Sequence, residues 1–204
     1  MAKYFTCIIL FRGNALCHIS TYQLLIIHYF SQNHLTEFPS NLEPLIDKLF
    51  ELNLSNNKIK DDLPGSILVK GVHLQYLNFS NNQLTKIPTE IGMLSNLREI
   101  CLSFNKFRAI PASLQTCEKL ETLLMNGNQI QEIDVEGLRK LKVLTVLDLS
   151  NNDIQQVPPE LGTLTQIRSL QLEGNSFRVP RPQILVKGTQ SIMSYLRDRI
   201  PAKQ

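Results

Sequence analysis

One asparagine returns through this chain at a nearly constant interval: Asn33, Asn57, Asn82, Asn105, Asn128, Asn152 and Asn175, spaced by 24, 25, 23, 23, 24 and 23 residues. A period of this length restricts the chain to a solenoid, in which each coil contacts its neighbours and cannot bury its apolar face alone. Ahead of each Asn stands an apolar trio at minus eight, minus five and minus three, such as Leu74, Leu77 and Phe79 before Asn82. Two residues beyond the Asn comes Leu35, Ile59, Leu84, Phe107, Ile130, Ile154 or Phe177. Most units then pass to an apolar residue followed by Pro, as in Leu63-Pro64, Ile87-Pro88, Ile110-Pro111 and Val157-Pro158.

Each position has a physical reading. The segment Leu-x-Leu has period two, so both apolar residues share one face of a short strand. The Asn amide carries an acceptor and two donors, enough to satisfy the backbone where the chain leaves that strand. Asn57, Asn82, Asn105, Asn128, Asn152 and Asn175 are therefore expected to stack as a structural ladder. Pro, with fixed φ and no N–H, suits a return arm in an extended or tight-turn conformation. Apolar pairs on that arm (Ile91 and Leu94, Leu114 and Cys117, Leu138 and Leu141, Leu161 and Leu164) close the core from the convex side.

The pattern LxxLxLxxNxLxxLP resembles the leucine-rich repeat family. That resemblance implies an α/β fold: a right-handed leucine-rich repeat solenoid with a parallel concave sheet and short helical or irregular convex arms. Residues 25–180 hold the repeats, the first of them degenerate because His28 takes the middle position of its trio. That imperfect unit reads as a cut through a longer array. Residues 1–24 form an irregular N-terminal extension, atypical of the pattern: Tyr4 to Phe11 imitates a leader, but Arg12 closes the stretch early. Residues 181–204 form a C-terminal cap. Ile192, Leu196 and Ile200 lie along one stripe of its amphipathic helix, with Thr189 as the N-cap and Pro201 as the stop. The last third, from Asn151-Asn152-Asp153 to Ile200-Pro201, is also similar in detail to a long intracellular member of the family that has no known catalytic domain.

No catalytic or cofactor chemistry is legible. The nine glycines form no phosphate-binding loop, His18, His28, His34 and His73 lack metal-ligand spacing, and no CxxC is present. The chain is expected to be no enzyme and to need no cofactor or metal. No apolar run is long enough to span a bilayer. A net charge of +3 and the absence of Trp argue against nucleic acid as a partner. Cysteine-rich caps of the extracellular kind are missing, so the expected compartment is the cytoplasm, with the nucleus as alternative. Asn53 and Asn78 begin glycosylation sequons that would matter only in a secreted recognition domain, which is the alternative reading beside a structural fragment of a longer array.

Function in a solenoid resides on the concave strand face. The outward columns place Tyr76, Cys101, Phe104, Leu124 and Val146 on neighbouring strands, all expected to be exposed. Glu51, Glu99, Asp148, Asp153 and Glu173 surround them with negative charge. Tyr76, Glu99, Cys101, Phe104, Leu124, Val146 and Asp148 are the candidate partner-binding residues of an interaction module or scaffold acting as a monomer. By family analogy the partner is a protein of the small-GTPase or phosphatase kind. A second surface is the tail: residues 177–204 carry Arg178, Arg181, Lys187, Arg197, Arg199 and Lys203 against Asp198, a charge pattern suited either to anions or to a solvated cap.

Overall fold

A computed structural model describes residues 25–27 and 31–201 of the chain. Seven short parallel strands stack in chain order into one sheet: β1 (Leu25–Ile27), β2 (Leu49–Asn53), β3 (Tyr76–Asn78), β4 (Glu99–Cys101), β5 (Thr122–Leu124), β6 (Val146–Asp148) and β7 (Ser169–Gln171). From β2 onward the register is uninterrupted: Leu52, Leu77, Ile100, Leu123, Leu147 and Leu170 lie side by side. These residues and the rest of their trios are fully buried and form the spine of one continuous core. The readings made for residues 1–24, and for His28 and Tyr29, fall outside the described residues.

Six convex arms close that core, the first through turns at Ser40–Leu42 and Ile46–Lys48. Where the unit carries Pro, the ring sits immediately before the helical turn and holds the chain extended: Pro88, Pro111 and Pro158 precede 3-10 turns over Thr89–Met93, Ala112–Thr116 and Pro159–Thr163. Pro64 likewise precedes the short α1 (Gly65–Leu68). The one arm without Pro caps differently. Asp134 accepts a hydrogen bond from the Gly137 N–H at 2.9 Å, and the longer α2 (Val135–Lys140) follows. Cys117 is buried on its arm, its Sγ 3.6 Å from the Ile91 carbonyl it faces as donor. Burial pushes its thiol up to about 11, so it behaves as a small hydrophobe and not as a nucleophile.

The C-terminal cap consists of α3 (Pro182–Leu185) and α4 (Thr189–Arg197), with Ile192, Met193 and Leu196 buried against the last arm. Approach is close enough that a Cβ on Gly162 would meet the Met193 carbonyl at 2.7 Å and the Arg197 nitrogen at 2.8 Å. One expectation for this helix is corrected. Thr189 is not the N-cap; Gly188, at φ 84°, precedes the helix, and the Thr189 hydroxyl accepts from the Leu170 N–H at 2.9 Å. That hydroxyl thus satisfies the last strand, whose outer edge has no eighth strand beside it among the described residues. The α-helix ends at Arg197, and i→i−3 bonds from Arg199 to Leu196 and from Ile200 to Arg197 carry its turns up to the residue before Pro201.

Candidate functional site

Two columns meet where each strand turns into its arm. The first is the Asn column. Asn82, Asn105, Asn128 and Asn152 are buried, and each binds in two directions. Asn105 Oδ1 accepts from the Leu84 N–H of the preceding repeat at 2.9 Å. Its Nδ2 donates to the Phe79 carbonyl of that repeat at 2.9 Å and to its own Leu102 carbonyl at 3.1 Å. Asn57 accepts from Leu35, Asn82 from Ile59, Asn128 from Phe107, Asn152 from Ile130 and Asn175 from Ile154. Among the described residues no buried side-chain polar atom lacks a partner. Each amide therefore sews one coil to the next in a water-free setting, where its bonds are costly to lose.

The second column, one residue earlier, is the outward column expected to hold Phe104. The structure gives it a backbone constraint: Gln32, Asn56, Asn81, Phe104 and Asn151 have φ between 53° and 59°, and Gly127 and Gly174 have φ 68° and 70°. Every coil enters the left-handed region here. Asn and Gly tolerate that region; an aromatic side chain pays about 1–2 kcal/mol for it. Phe104 is nonetheless placed there, 57% exposed, with its ring leaning over Gly127, where an added Cβ would come within 2.6 Å of it. The column's run of Asn and Gly was the signal that sequence reasoning could have used.

On the strands themselves, Tyr76, Glu99 and Val146 occupy one outward column, and Cys101, Leu124 and Asp148 the next. Register sets Cys101 beside Leu124 and Leu124 beside Asp148, so these residues are lateral neighbours on one face. The expectation that the apolar members all lie exposed is corrected. Tyr76, Cys101, Leu124 and Val146 are half-buried, because strands about 4.8 Å apart cover each other's flanks. Phe104 alone of the five stands clear. Phe50, which the repeat pattern does not single out, adds an aromatic contact: its ring centroid lies 5.3 Å from that of Tyr76, tilted by 54°.

Part of the outward polarity is spent on structure. Asn53, Asn78 and Asp148 each turn Oδ1 back to accept from the N–H two residues on, at 3.0, 2.9 and 2.9 Å, and Asp148 also takes the Ser150 hydroxyl at 2.7 Å. The sequon asparagines are thus strand-end turns in the folded chain. Glu99 and Glu173 face outward on the same surface. The columns of Tyr76, Cys101 and Phe104 contain no Lys or Arg between Glu51 and Gly174 and are acidic where they are charged, while the column that holds Asp153 also carries Lys58 and Lys106. On the cap, Arg178, Arg181, Lys187, Arg197 and Arg199 are exposed, and Arg199 lies 3.8 Å over the Tyr195 ring. No group of three or more His, Cys, Asp or Glu among the described residues could hold a metal ion, and no helix there is long and apolar enough to cross a membrane.

Comparison with known proteins agrees with this geometry. A family model described as a leucine-rich repeat region matches residues 46–187. Among curated relatives, a probable serine/threonine-protein kinase, pats1, of Dictyostelium discoideum is 33% identical over 72% of the chain and 5% of its own length. The human PH domain leucine-rich repeat-containing protein phosphatase 1 is 32% identical over 62% of the chain and 7% of its own length. The plant intracellular Ras-group-related LRR protein 8 of rice (Oryza sativa subsp. japonica) is 34% identical over 46% and 25% respectively. The chain therefore spans a quarter or less of the length of these relatives. A solved structure of a leucine-rich repeat protein from Leptospira interrogans superposes with a TM-score of 0.68 at 29% identity, covering 75% of this chain and 38% of that one.

Proposed function

The chain belongs to the leucine-rich repeat family, a family of protein–protein interaction modules, and we propose that it takes a protein partner on its concave face without enzymatic turnover. The observation that carries this reading is Phe104, a largely exposed aromatic held at a backbone angle that costs energy, in a column filled elsewhere by Gln, Asn or Gly. A strained residue kept on the surface points to use, and aromatic side chains are the usual anchors of interfaces. Tyr76, Glu99, Cys101, Leu124, Val146 and Asp148 complete the partner-binding set, and Asn57, Asn82, Asn105, Asn128, Asn152 and Asn175 hold its strands in register. The acidic lining favours a partner with basic groups at the contact.

The names of two relatives, one Ras-group-related and intracellular, the other a phosphatase, support a signalling setting with a small GTPase or a phosphatase as partner. The detailed likeness of the last third to leucine-rich repeat-containing protein 40 supports an intracellular setting, in the cytoplasm or nucleus, for a monomeric scaffold. The repeats stand at 25–180 and the cap at 181–204 in this reading. Affinity capture with the whole chain and with a Phe104→Ala, Leu124→Ala double variant is the test. The paired variant is expected to lose the partners that the parent retains; an unchanged set removes the proposal.

A further inference from the structure

The strand-end turns of the middle repeats differ from those on either side. At Asn53, Asn78 and Asp148 a side-chain oxygen takes the N–H two residues on. Cys101 and Leu124 stand in the same column and carry no oxygen, and the N–H groups of Ser103 and Asn126 have no hydrogen-bond acceptor among the described residues. Ser103 lies buried behind Cys101, whose Sγ reaches only the Ser103 hydroxyl, at 3.6 Å. Asn126 is the more open of the two. An unmade backbone bond at a protein surface is cheap in water and costly once water is excluded, unless the incoming group is itself an acceptor.

These donors coincide with the other irregularities of the face. Phe104 follows Ser103 directly and leans over Gly127, which follows Asn126 directly. Asp148 lies beside Leu124 in the strand register, and Glu99 lies two residues before Cys101 on the same face. This stretch of the face thus combines an unpaired N–H donor with an exposed aromatic ring beside it, and two carboxylates farther along the strands.

We infer that this notch receives an extended, arginine-bearing segment of a protein partner. A main-chain carbonyl of the segment takes the Asn126 N–H in place of the missing side-chain oxygen. The arginine lies against the Phe104 ring, since a guanidinium stacks on aromatic faces, while Glu99, five residues earlier on its strand, and Asp148, two strands over, add attraction at longer range. This deepens the proposed function and rests on it, because it places the docking on two repeats and gives the partner's chemistry.

The test uses the whole chain and fluorescein-labelled dodecapeptides of Gly, Ser, Thr and Leu with a central Arg, Gln or Glu, read by fluorescence anisotropy. Arginine peptides are expected to bind at least about tenfold more tightly than glutamate ones, a difference that shrinks with added salt. Leu124→Asn installs the oxygen that Asn78 already supplies in its own repeat, leaves net charge unchanged and keeps the chain folded. It is expected to weaken the arginine peptides about tenfold while the thermal midpoint holds or rises. Phe104→Asn, which places there the residue that neighbouring repeats carry, is expected to weaken them similarly, and Ser169→Ala on the last strand leaves them unchanged. Equal binding of the arginine and glutamate series, or full binding by Leu124→Asn, overturns the inference. Binding that falls with Tyr76→Ser but not with Leu124→Asn or Phe104→Asn sinks the notch and leaves concave docking standing. Binding insensitive to all three sinks both.

Discussion

The Asn column and the left-handed column are one residue apart in sequence and follow opposite rules. In the first, every described repeat after the degenerate one carries the same side chain, because a buried amide such as Asn105 must serve four backbone partners in two coils at once. In the second, only a backbone angle is demanded, and Gln, Asn, Phe and Gly all appear. Where chemistry is required on all sides, the residue type is fixed. Where geometry alone is required, the side chain is free to acquire a function. Phe104 is the residue at which that freedom is used.

The sharpest way to break this contrast is to remove one member of each column. Asn105→Ala leaves the Leu84 N–H without its partner in a dry interior and takes one of two amide donors from the Phe79 and Leu102 carbonyls, which keep Asn82 and Asn128, so it should cost about 2–4 kcal/mol at roughly 1–3 kcal/mol for the orphaned donor plus the weakened acceptors. Asn81→Gly keeps the left-handed angle and loses only the 2.7 Å bond from Asn81 to Asn56 on the surface, so it should cost under about 1 kcal/mol. Urea denaturation of both variants measures the difference. Similar losses would mean that burial is not what separates the columns.

Gly127→Ala tests the second column where geometry is tightest. The new Cβ meets the Phe104 ring at 2.6 Å and occupies a positive φ, so a loss of about 1–2 kcal/mol is expected in the thermal midpoint. In a Phe104→Gly background the ring clash vanishes and only the backbone cost remains, so the second loss should be smaller than the first. Additive losses would show that the ring does not rest on Gly127 in solution.

Much of this architecture was legible in the residues, because apolar trios and a repeating amide act through burial, and burial imposes residue type. Leu123, Asn128 and Leu138 could be placed by spacing alone. The left-handed column could not be placed so easily, since a φ constraint tolerates several residue types and Phe104 conceals the Asn and Gly preference of its neighbours. The inward turn of Asn53, Asn78 and Asp148 escaped notice for a related reason: a polar residue on an outward column looks the same whether it faces solvent or its own backbone. Thr189 was misassigned because a hydroxyl at a helix start suits capping, while the open edge of β7 competed for it.

Phe104→Asn sharpens the comparison at smaller amplitude. Asn tolerates the left-handed region better than Phe, yet the ring's contact with Gly127 is lost, so the two effects oppose and stability should change by less than about 1 kcal/mol, in either direction. Partner binding should fall in the same variant. A large destabilisation would make Phe104 a packing residue and remove its claim to be an anchor.

The smallest effect separates geometry from burial. Asp61 also ties one repeat to the next: its Oδ1 accepts from the Thr85 N–H at 2.6 Å and the Lys86 N–H at 3.2 Å, and its other oxygen takes the Thr85 hydroxyl. The bonding resembles that of a ladder Asn, but these contacts are open to water. Its slight desolvation raises the carboxyl pKa, the Thr85 and Lys86 hydrogen bonds lower it by more, and the net position is below the ordinary value near 3.8. A depressed folded pKa means that the unfolded chain takes up the proton first on acidification. The stabilisation from Asp61 is therefore fully present above the unfolded pKa and drains away as pH falls through the folded one. Asp61→Asn should cost within about 0.5 kcal/mol at neutral pH, as exposed substitutions do, and the gap between parent and variant in urea midpoint should narrow as the pH falls below the ordinary carboxylate value. A neutral-pH loss as large as that of Asn105→Ala would show that bonds between coils matter equally wherever they lie, and the distinction between a fixed buried column and a free exposed one would fail with it.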